Sequence, residues 1–411
     1  MPPITRDALA ALDAADALAP FRDRFILPEG IIYLDGNSLG PVPKATPGRV
    51  ADMVAHEWGE SLIRAWTEHG WIDLPLRVGE KIGRLIGAAP GSTVVADSTS
   101  VNLFKLLAAA LDARPGRSVI LTETGNFPTD LYMAQGLTAL LGRGHKLRVV
   151  DDPLHTLGPD VAVLLLTHVN YRSGAMHDMA AVTRAAHAAG ALVLWDLSHS
   201  VGAVPVQLAA DDVDLAVGCG YKYLNDGPGA PAFLYVAPNL QSSLRLPLTG
   251  WLGHAEPFAF DPTYRPAQGI ARAVVGTPPV LSLTALEVGV DLMLQVPMAD
   301  LRAKSVRLVD LFLALVAHEC AEHVFSPLTP ADASRRGSQV SFAHPDGYAI
   351  MQVLIERGVI GDFRAPDVLR FGLAPLYLRY TDVWDAVAVL REVMQVGVWR
   401  GDQFQQRRKV T

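Results

Sequence analysis

The middle of the chain alternates between short hydrophobic runs and longer segments whose hydrophobic residues recur at helical spacing. Uninterrupted short runs are typical of strands that are buried on both faces of a parallel sheet, and the segments between them are typical of crossover helices. The alternation therefore predicts an α/β fold with a mostly parallel central sheet and flanking helices. The predicted strands are 118–122, 146–150, 161–167, 191–196, 213–217 and 232–236, and the predicted helices include 101–111, 129–141 and 178–189.

The pattern changes after residue 248. Residues 248–279 are rich in Gly, Pro and aromatic residues without a clear period, which indicates an extended connection. Hydrophobic residues then recur from 281 to about 317 as in one long helix, and a smaller α+β region follows. We therefore expect an N-terminal segment (1–50) that joins the small domain, a large α/β domain (51–285) and a small C-terminal α+β domain (286–411).

Composition narrows the class of protein. Half of the 411 residues are hydrophobic and 19% are charged, as in a globular protein, and the net charge of −7 offers no basic surface for nucleic acid. No hydrophobic run approaches the ~20 residues that span a bilayer, and the N-terminus lacks the regions of a secretory signal. The two cysteines, Cys219 and Cys320, are too few for a disulfide framework or a zinc cluster. We expect a soluble, cytoplasmic protein with no metal, nucleic-acid or membrane partner.

Two charged residues stand at the ends of successive predicted strands. Asp196 closes the run 191–196, and Lys222 follows the run 213–217 after three small residues. Ligands of open α/β sheets bind at the carboxyl ends of the strands. A pyridoxal phosphate enzyme needs this pair of groups, because a carboxylate keeps the pyridine nitrogen protonated and a lysine holds the aldehyde as a Schiff base. On local sequence alone, Asp196 also fits a helix cap and Lys222 an exposed loop residue.

Candidate partners for the rest of that cofactor precede Asp196. The segment 97–100 (DSTS) leads into a predicted helix and offers hydroxyls and backbone N–H groups for a phosphate. Phe127 follows the strand 118–122 and is placed to stack on a planar ring, although an ordinary proline-led helix start explains the same motif. His199, three residues after Asp196, is a candidate to contact the cofactor or to orient the carboxylate.

Six motifs in order resemble those of the kynureninase family, from about Tyr33 to Tyr377. They are 33–40 (YLDGNSLG), 126–130 (NFPTD), 195–199 (WDLSH), 220–225 (GYKYLN), 250–254 (GWLGH) and 370–372 (RFG). The resemblance, closest to the bacterial branch, implies a fold-type I pyridoxal phosphate enzyme, similar to the aspartate aminotransferase superfamily, whose large domain binds the cofactor. It further implies a homodimer with shared active sites, and hydrolysis of L-kynurenine, with 3-hydroxy-L-kynurenine a weaker substrate, to anthranilate and L-alanine.

The same resemblance assigns residues to roles. Lys222, Tyr221 and Asp196 would be catalytic, and Arg370 would hold the substrate α-carboxylate. Trp66, Gly276 and Thr277 would also contact the substrate, with Trp251 and Thr277 reaching across the dimer interface. The implied cofactor-binding residues are Thr99, Ser100, Phe127, Pro128, Thr129, Asp130, Thr167, Asp196, His199, Tyr221, Lys222, Trp251 and Thr277.

Three alternatives stay open at this point. The chain could be another fold-type I enzyme, such as a class V aminotransferase or a cysteine desulfurase, or a catalytically silent binding protein on the same fold. A desulfurase needs a mobile catalytic cysteine, and neither Cys219, just after the predicted strand 213–217 and three residues before Lys222, nor Cys320, in a predicted helical region, suits that role. A silent protein would be expected to lack the lysine or the aspartate, and both are present.

Overall fold

The computed structural model describes residues 4–407. Within them the chain forms thirteen strands, which we label in chain order. The strands are β1 Ile32–Tyr33, β2 Thr93–Val95, β3 Val119–Glu123, β4 Lys146–Val150, β5 Val161–Thr167, β6 Leu192–Asp196, β7 Leu215–Cys219, β8 Ala232–Val236, β9 Ser326–Pro327, β10 Gln339–Ala343, β11 Val359–Ile360, β12 Asp362–Arg364 and β13 Val368–Gly372. They belong to two compact units, one formed by residues 45–171 and 177–295, the other by residues 4–44, 172–176 and 296–407.

The first unit is built around a seven-stranded sheet in the order β2-β8-β7-β6-β5-β3-β4. Strands β3 to β7 pair in parallel, whereas β8 runs antiparallel to both β7 and β2. Every residue of β5, β6, β7 and β8 is buried, which is why these runs carry no polar alternation. The prediction of an α/β fold with a mostly parallel sheet is confirmed.

Helices cover this sheet, and the helix Thr99–Asp112 packs its apolar side chains against the central strands in the main hydrophobic core. The α-helices of the unit are Ala45–Asp52, Ala65–Glu68, Leu74–Leu85, Thr99–Asp112, Pro128–Leu141, Pro153–Thr156, Met179–Ala188, Pro238–Gln241 and Val280–Met293. A π-helical turn covers Met53–Trp58, and 3₁₀ turns cover Leu62–Arg64, Trp71–Asp73, Trp251–Gly253, Pro257–Ala259 and Gly269–Ala273.

The second unit contains a four-stranded antiparallel sheet, ordered β12-β13-β10-β9, and the parallel pair β1 and β11. Its α-helices are Arg6–Ala14, Ala19–Arg22, Met298–Glu319, Gly347–Glu356, Tyr380–Val396 and Asp402–Gln405, with 3₁₀ turns at Ala333–Arg335 and Val398–Arg400. The predicted domain boundaries at residues 50 and 285 stay a prediction, and the compact units described above are a separate observation.

Three details of the sequence prediction differ from the structure. The prediction of a single long helix over 281–317 is wrong, because the structure has two helices there, Val280–Met293 and Met298–Glu319. Pro297 separates them, since it has no N–H to donate and its ring disfavours a helical conformation of the residue before it. The strand expected at 213–217 is Leu215–Cys219, since the Val213 N–H closes a turn onto the Leu208 carbonyl. The three-residue strand β2 was too short to leave a pattern.

Two negative observations apply to residues 4–407. No single helix there is long and apolar enough to cross a membrane, and the successive helices Val280–Met293 and Met298–Glu319 reach such a length and composition only when they are counted together. In the same part of the chain, no group of three or more His, Cys, Asp and Glu side chains is arranged to hold a metal ion.

Candidate active site

Adjacent strand ends bring the central polar residues of the site together. Thr167 ends β5 and lies opposite Asp196, which ends β6, in the parallel register of the two strands. Lys222 follows β7, the next strand in the sheet, three residues after its end. The topology of a parallel sheet thus places a hydroxyl, a carboxylate and an amine on one edge, as the rule for ligand sites in open α/β sheets requires.

Asp196 is buried, with 3% of its surface exposed. Its Oδ1 accepts a hydrogen bond from the backbone N–H of Ser198 at 2.8 Å. Burial raises the pKa of the Asp196 carboxyl, because a charge loses hydration there, while the bond from Ser198 and the positive charge of Lys222 act in the opposite direction.

Asp130 provides a second carboxyl in the same place. It lies in the first turn of the helix Pro128–Leu141, is 1% exposed, and its buried Oδ2 has no hydrogen-bond partner among the described residues. Burial is the main cause that raises its pKa, the nearby charge of Asp196 raises it further, and Lys222 and Thr167 lower it. The site therefore holds two mutually repelling acids beside one amine.

Lys222 lies between aromatic and imidazole groups. Its Nζ is 2.8 Å from Nε2 of the buried His199 and 5.8 Å from the centre of the Tyr221 ring. Both neighbours come from the loops that follow β6 and β7, so the loop conformations fix the direction of the amine. A primary amine held in this way is a suitable nucleophile and base for carbonyl chemistry.

The N-terminus of the helix Thr99–Asp112 also borders the site. Ser98 caps the helix by accepting a hydrogen bond from the N–H of Val101 at 3.3 Å, and Thr99 and Ser100 form the first turn. A helix N-terminus combines unpaired N–H groups with the positive end of the helix dipole, so it favours a phosphate group. The two hydroxyls add side-chain donors at the same position.

Aromatic side chains complete one wall. Phe127 precedes the helix Pro128–Leu141, and its N–H donates to Oδ1 of Asn126 at 2.7 Å. Asn126 in turn donates to Thr122 Oγ1 at 2.9 Å, which anchors the loop to strand β3. The Phe127 ring makes an edge contact with Tyr171, with centroids 5.2 Å apart, and is 38% exposed, so one face remains open to a planar ligand.

These residues line a cavity of about 270 Å³. Of the residues expected from the sequence, Thr99, Ser100, Phe127, Thr129, Asp130, Thr167, Asp196, His199, Tyr221 and Lys222 line it. Leu103, Tyr171 and Ser198 line it too and were missed. Two signals in the sequence could have identified two of them: Ser198 lies two residues after Asp196, and Tyr171 lies four residues after the end of β5.

Other expected site residues lie elsewhere in the chain. Pro128 is the first residue of its helix and does not line the cavity. Trp66 makes an edge contact with Trp71, with centroids 5.9 Å apart. Trp251 is 39% exposed, and Gly276 and Thr277 are exposed. None of these five expected residues lines the cavity around Lys222 within the described chain.

Arg370 belongs to the second unit, in strand β13, and is fully buried. Its Nε donates to Oδ1 of Asp362 at 2.8 Å, and its Nη2 donates to Oδ2 of the same carboxylate. This bidentate ion pair was not anticipated from the sequence, because the partner is chosen by the register of β12 and β13.

The donor set of the cavity fits pyridoxal phosphate. It offers an amine for the aldehyde, a buried carboxylate for the pyridine nitrogen, an open aromatic face for the ring, and a hydroxyl-bearing helix start for the phosphate. Oδ2 of Asp130, which has no hydrogen-bond partner within residues 4–407, adds an acceptor in the same place.

Comparison with solved structures agrees with the fold. A mutant of C-DES with glycine covalently linked to its PLP cofactor matches with a TM-score of 0.80 at 17% identity, over 90% of this chain and 99% of that chain. The apo cysteine desulfurase from Thermococcus onnurineus NA1 matches with a TM-score of 0.78 at 17% identity, over 92% and 98%. Similarities at this level of identity establish the fold, which is that of fold-type I enzymes.

Comparison with the sequences of known proteins identifies the family. Residues 301–390 match the model of the kynureninase C-terminal domain. A kynureninase of Pseudomonas fluorescens is 52% identical over 414 residues, which cover 99% of this chain and 100% of the relative. A kynureninase of Burkholderia pseudomallei strain 1106a is 52% identical over the same shares. At such identity over the full length of both chains, this chain belongs to the kynureninase family.

Proposed function

We propose that the chain uses pyridoxal phosphate to hydrolyse the Cβ–Cγ bond of L-kynurenine, a small-molecule substrate, to anthranilate and L-alanine. The observation that carries this proposal is the cavity in which Lys222 faces two buried carboxyls, Asp130 and Asp196, beside a hydroxyl-bearing helix start. 3-Hydroxy-L-kynurenine is proposed as a weaker substrate. Family membership supports the reaction, and the donor set supports the cofactor.

Each cavity residue has a role toward the cofactor. Lys222 would hold it covalently through Nζ, Asp196 would keep the pyridine nitrogen protonated, and Phe127 would stack on the ring. Thr99 and Ser100 would donate to the phosphate, and Thr129, Asp130, Thr167 and His199 would complete the pocket. When bound, the cofactor supplies an electron sink that stabilises negative charge on the substrate carbon skeleton.

Lys222 also moves the protons of the reaction. As a free amine, Lys222 would take the proton from the substrate Cα as a general base. The imidazole of His199, 2.8 Å from Nζ, keeps the amine in position. Tyr221 is placed beside the lysine and carries a phenolic proton, so we assign it the relay of a proton and a hydrogen bond to the oxyanion that forms when water adds to the γ-carbonyl.

Substrate contacts and assembly are part of the proposal. Arg370 holds the α-carboxylate through its planar fork of donors, and Trp66, Gly276 and Thr277 contact the rest of the substrate. The enzyme is a homodimer in which Trp251 and Thr277 reach the active site of the other subunit. The exposure of Trp251, Gly276 and Thr277 in the single chain supports this assignment. We place the dimer in the cytoplasm, without nucleic-acid or membrane partners.

The direct test is an assay of the purified protein with added cofactor. L-Kynurenine should yield fluorescent anthranilate and L-alanine in equal amounts, and 3-hydroxy-L-kynurenine should yield its hydroxylated analogue more slowly. Borohydride reduction followed by peptide mass mapping should place the cofactor on Lys222. No anthranilate from a protein that binds the cofactor would refute the proposed reaction.

The burial of both cysteines weighs against a cysteine desulfurase, despite the similarity of fold. Cys219 is 1% and Cys320 2% exposed, and burial raises the pKa of each thiol. Neither sulfur is therefore poised as an exposed thiolate. Incubation with 2-oxoglutarate distinguishes the proposed hydrolase from a class V aminotransferase, because glutamate forms only if the amino group is transferred.

A further inference from the structure

The motif at residues 33–40 (YLDGNSLG) packs against the strand that carries Arg370. The N–H of Gly372, at the end of β13, donates to the Leu34 carbonyl at 2.6 Å, and the N–H of Leu34 donates to the Ile360 carbonyl at 2.7 Å. These backbone bonds fix the start of the motif between β11 and β13. The following turn then brings Ser38 to the side chains of β12 and β13.

Asp362 holds the Arg370 guanidinium at two points. The two residues lie opposite each other in the antiparallel register of β12 and β13, and both are buried. Because Nε and Nη2 of Arg370 both donate to this carboxylate, the plane of the guanidinium and the direction of its Cζ–Nη1 bond are fixed. Bidentate pairs of this kind contribute geometric specificity as well as energy.

Ser38 ties this pair to the motif. Its Oγ donates to Oδ2 of Asp362 at 2.7 Å and accepts from Nη2 of Arg370 at 2.6 Å. It also accepts from Nη2 of Arg364 at 3.2 Å. A single hydroxyl thus contacts both members of the ion pair, so the guanidinium has little freedom to turn about its long side chain.

Arg364, Arg370, Asp362 and Asp35 form a charged cluster, and the sum of their charges favours the binding of an anion. Arg364 and Arg370 bring two positive charges, and Asp362 is an ionised carboxylate whose pKa Arg370 helps to hold below its usual range against the effect of burial. Burial and the charge of Asp362 raise the pKa of the other acid, Asp35, to about 7. The cluster therefore keeps net positive charge at neutral pH, although its arginine is paired.

We propose that Asp362 and Ser38 are positioning residues that aim the Arg370 guanidinium at the α-carboxylate of the substrate. This inference rests on the role of Arg370 in the proposed function and assigns a purpose to the motif at 33–40. The competing possibility is that Asp362 occupies the donors that the substrate needs, so that substrate must displace it. The two possibilities predict opposite changes in substrate affinity when Asp362 is neutralised.

The experiment compares Asp362→Asn and Ser38→Ala with the wild-type holoenzyme. Loss of hydrogen bonds to a charged group should raise KM for L-kynurenine between about tenfold and a hundredfold in Asp362→Asn, with a smaller rise in Ser38→Ala. The kcat and the visible absorbance of the bound cofactor should change little. Binding of kynuramine, the amine that lacks only the α-carboxylate, should be the same in variants and wild type.

A matched control is Asp310→Asn, which removes the carboxylate partner of another buried arginine, Arg336, in the same unit. It should leave KM unchanged, so a general cost of breaking an arginine pair is separated from the proposed role. Asp362→Asn introduced into Arg370→Ala should add little to the KM of Arg370→Ala alone, because a positioning residue acts only through the side chain it positions.

Opposite outcomes overturn the inference. A KM that stays the same or falls in Asp362→Asn would show that the carboxylate does not aim Arg370, and additive effects in the double variant would exclude action through Arg370. If Asp362→Asn fails to fold by thermal melting, Ser38→Ala decides by the same criteria. Failure of the proposed function is distinguishable, since wild-type enzyme would then release no anthranilate, or Arg370→Ala itself would leave KM unchanged.

Discussion

Lys105 is the most deeply buried cation near the active site, and its removal offers a quantitative test of the structure. The side chain is 0% exposed, and its ammonium forms an ion pair with Asp97. It also donates to the Ala273 carbonyl at 2.9 Å and to Asn102 Oδ1 at 3.4 Å. Asp97 has a left-handed backbone, with φ 49°, immediately before the start of the helix that bears Thr99 and Ser100. One ammonium therefore links the proposed phosphate site to the segment that leads to Thr277.

Lys105→Met keeps most of the volume and removes the charge. The Ala273 carbonyl is left unsatisfied, which costs about 1–3 kcal/mol, and Asp97 loses its partner. Breaking a buried pair costs about 3–5 kcal/mol, but the Asp97 side chain is one-third exposed, so solvent compensates for part of that loss. We expect a total near 3 kcal/mol. For a unit of roughly 250 residues this corresponds to a fall in Tm of about 6 °C.

The assay is differential scanning calorimetry of the apoprotein, combined with titration of each variant with pyridoxal phosphate. Lys105→Met should lower Tm and weaken cofactor binding, since the turn at Asp97 no longer sets the helix start. Lys146→Met, at an exposed position on strand β4, is the matched control and should change neither quantity. The reasoning is refuted if Lys105→Met melts within about 1 °C of wild type, or melts lower but binds the cofactor with unchanged affinity.

Three further predictions concern Lys222, Asp35 and the two cysteines. Lys222→Ala should abolish anthranilate release and the visible absorbance of the lysine-bound cofactor, measured by spectroscopy before and after dialysis; a variant that keeps both would remove Lys222 from the mechanism. Asp35 has a folded pKa of about 7 against an ordinary value of 3.8, so its contribution to stability is present at low pH and is lost as pH rises from about 4 to 7. Asp35→Asn should abolish that loss, which amounts to about 3 kcal/mol between urea melts at pH 5 and pH 8, and equal pH slopes in both proteins would contradict the assignment. Cys219→Ala and Cys320→Ala should each retain turnover, whereas loss of turnover without loss of folding would revive a thiol mechanism.

The central sheet and the position of the proposed catalytic pair, Asp196 and Lys222, could be predicted because both depend on local pattern and a general rule of topology. The runs that became β5 and β6 are apolar throughout, since both faces of those strands are covered. Once the order of strands and helices is read, Asp196 and Lys222 must lie at one edge. No contact distant in sequence was needed for this inference.

The remaining features depend on contacts that the local pattern does not encode. Asp130 occupies the first turn of a helix, where an acid is ordinarily solvated, yet it is 1% exposed and lies near Thr167 and Asp196 at the ends of β5 and β6. Asp362 becomes the partner of Arg370 through the register of an antiparallel pair. Periodicity also spanned the break before Pro297, although the proline itself was a signal for it.

The electrostatics of the cavity lead us to expect that Asp130 and Asp196 favour a ligand with a positively charged ring. Burial raises the pKa of both Asp130 and Asp196, the charge of Asp196 raises the pKa of Asp130 further, and the single charge of Lys222 offsets these effects only in part. A ligand that adds positive charge beside these carboxyls lowers both pKa values and is bound more tightly for that reason. A protonated pyridine ring is such a ligand, and its stacking surface matches the open face of Phe127. A neutral aromatic ring of the same shape would gain the stacking but leave the repulsion between the acids, so 4-deoxypyridoxine phosphate, which keeps the basic nitrogen, should compete with the cofactor far better than a benzene analogue of it. Equal competition by the two compounds would show that the acids do not recognise the charge of the ring.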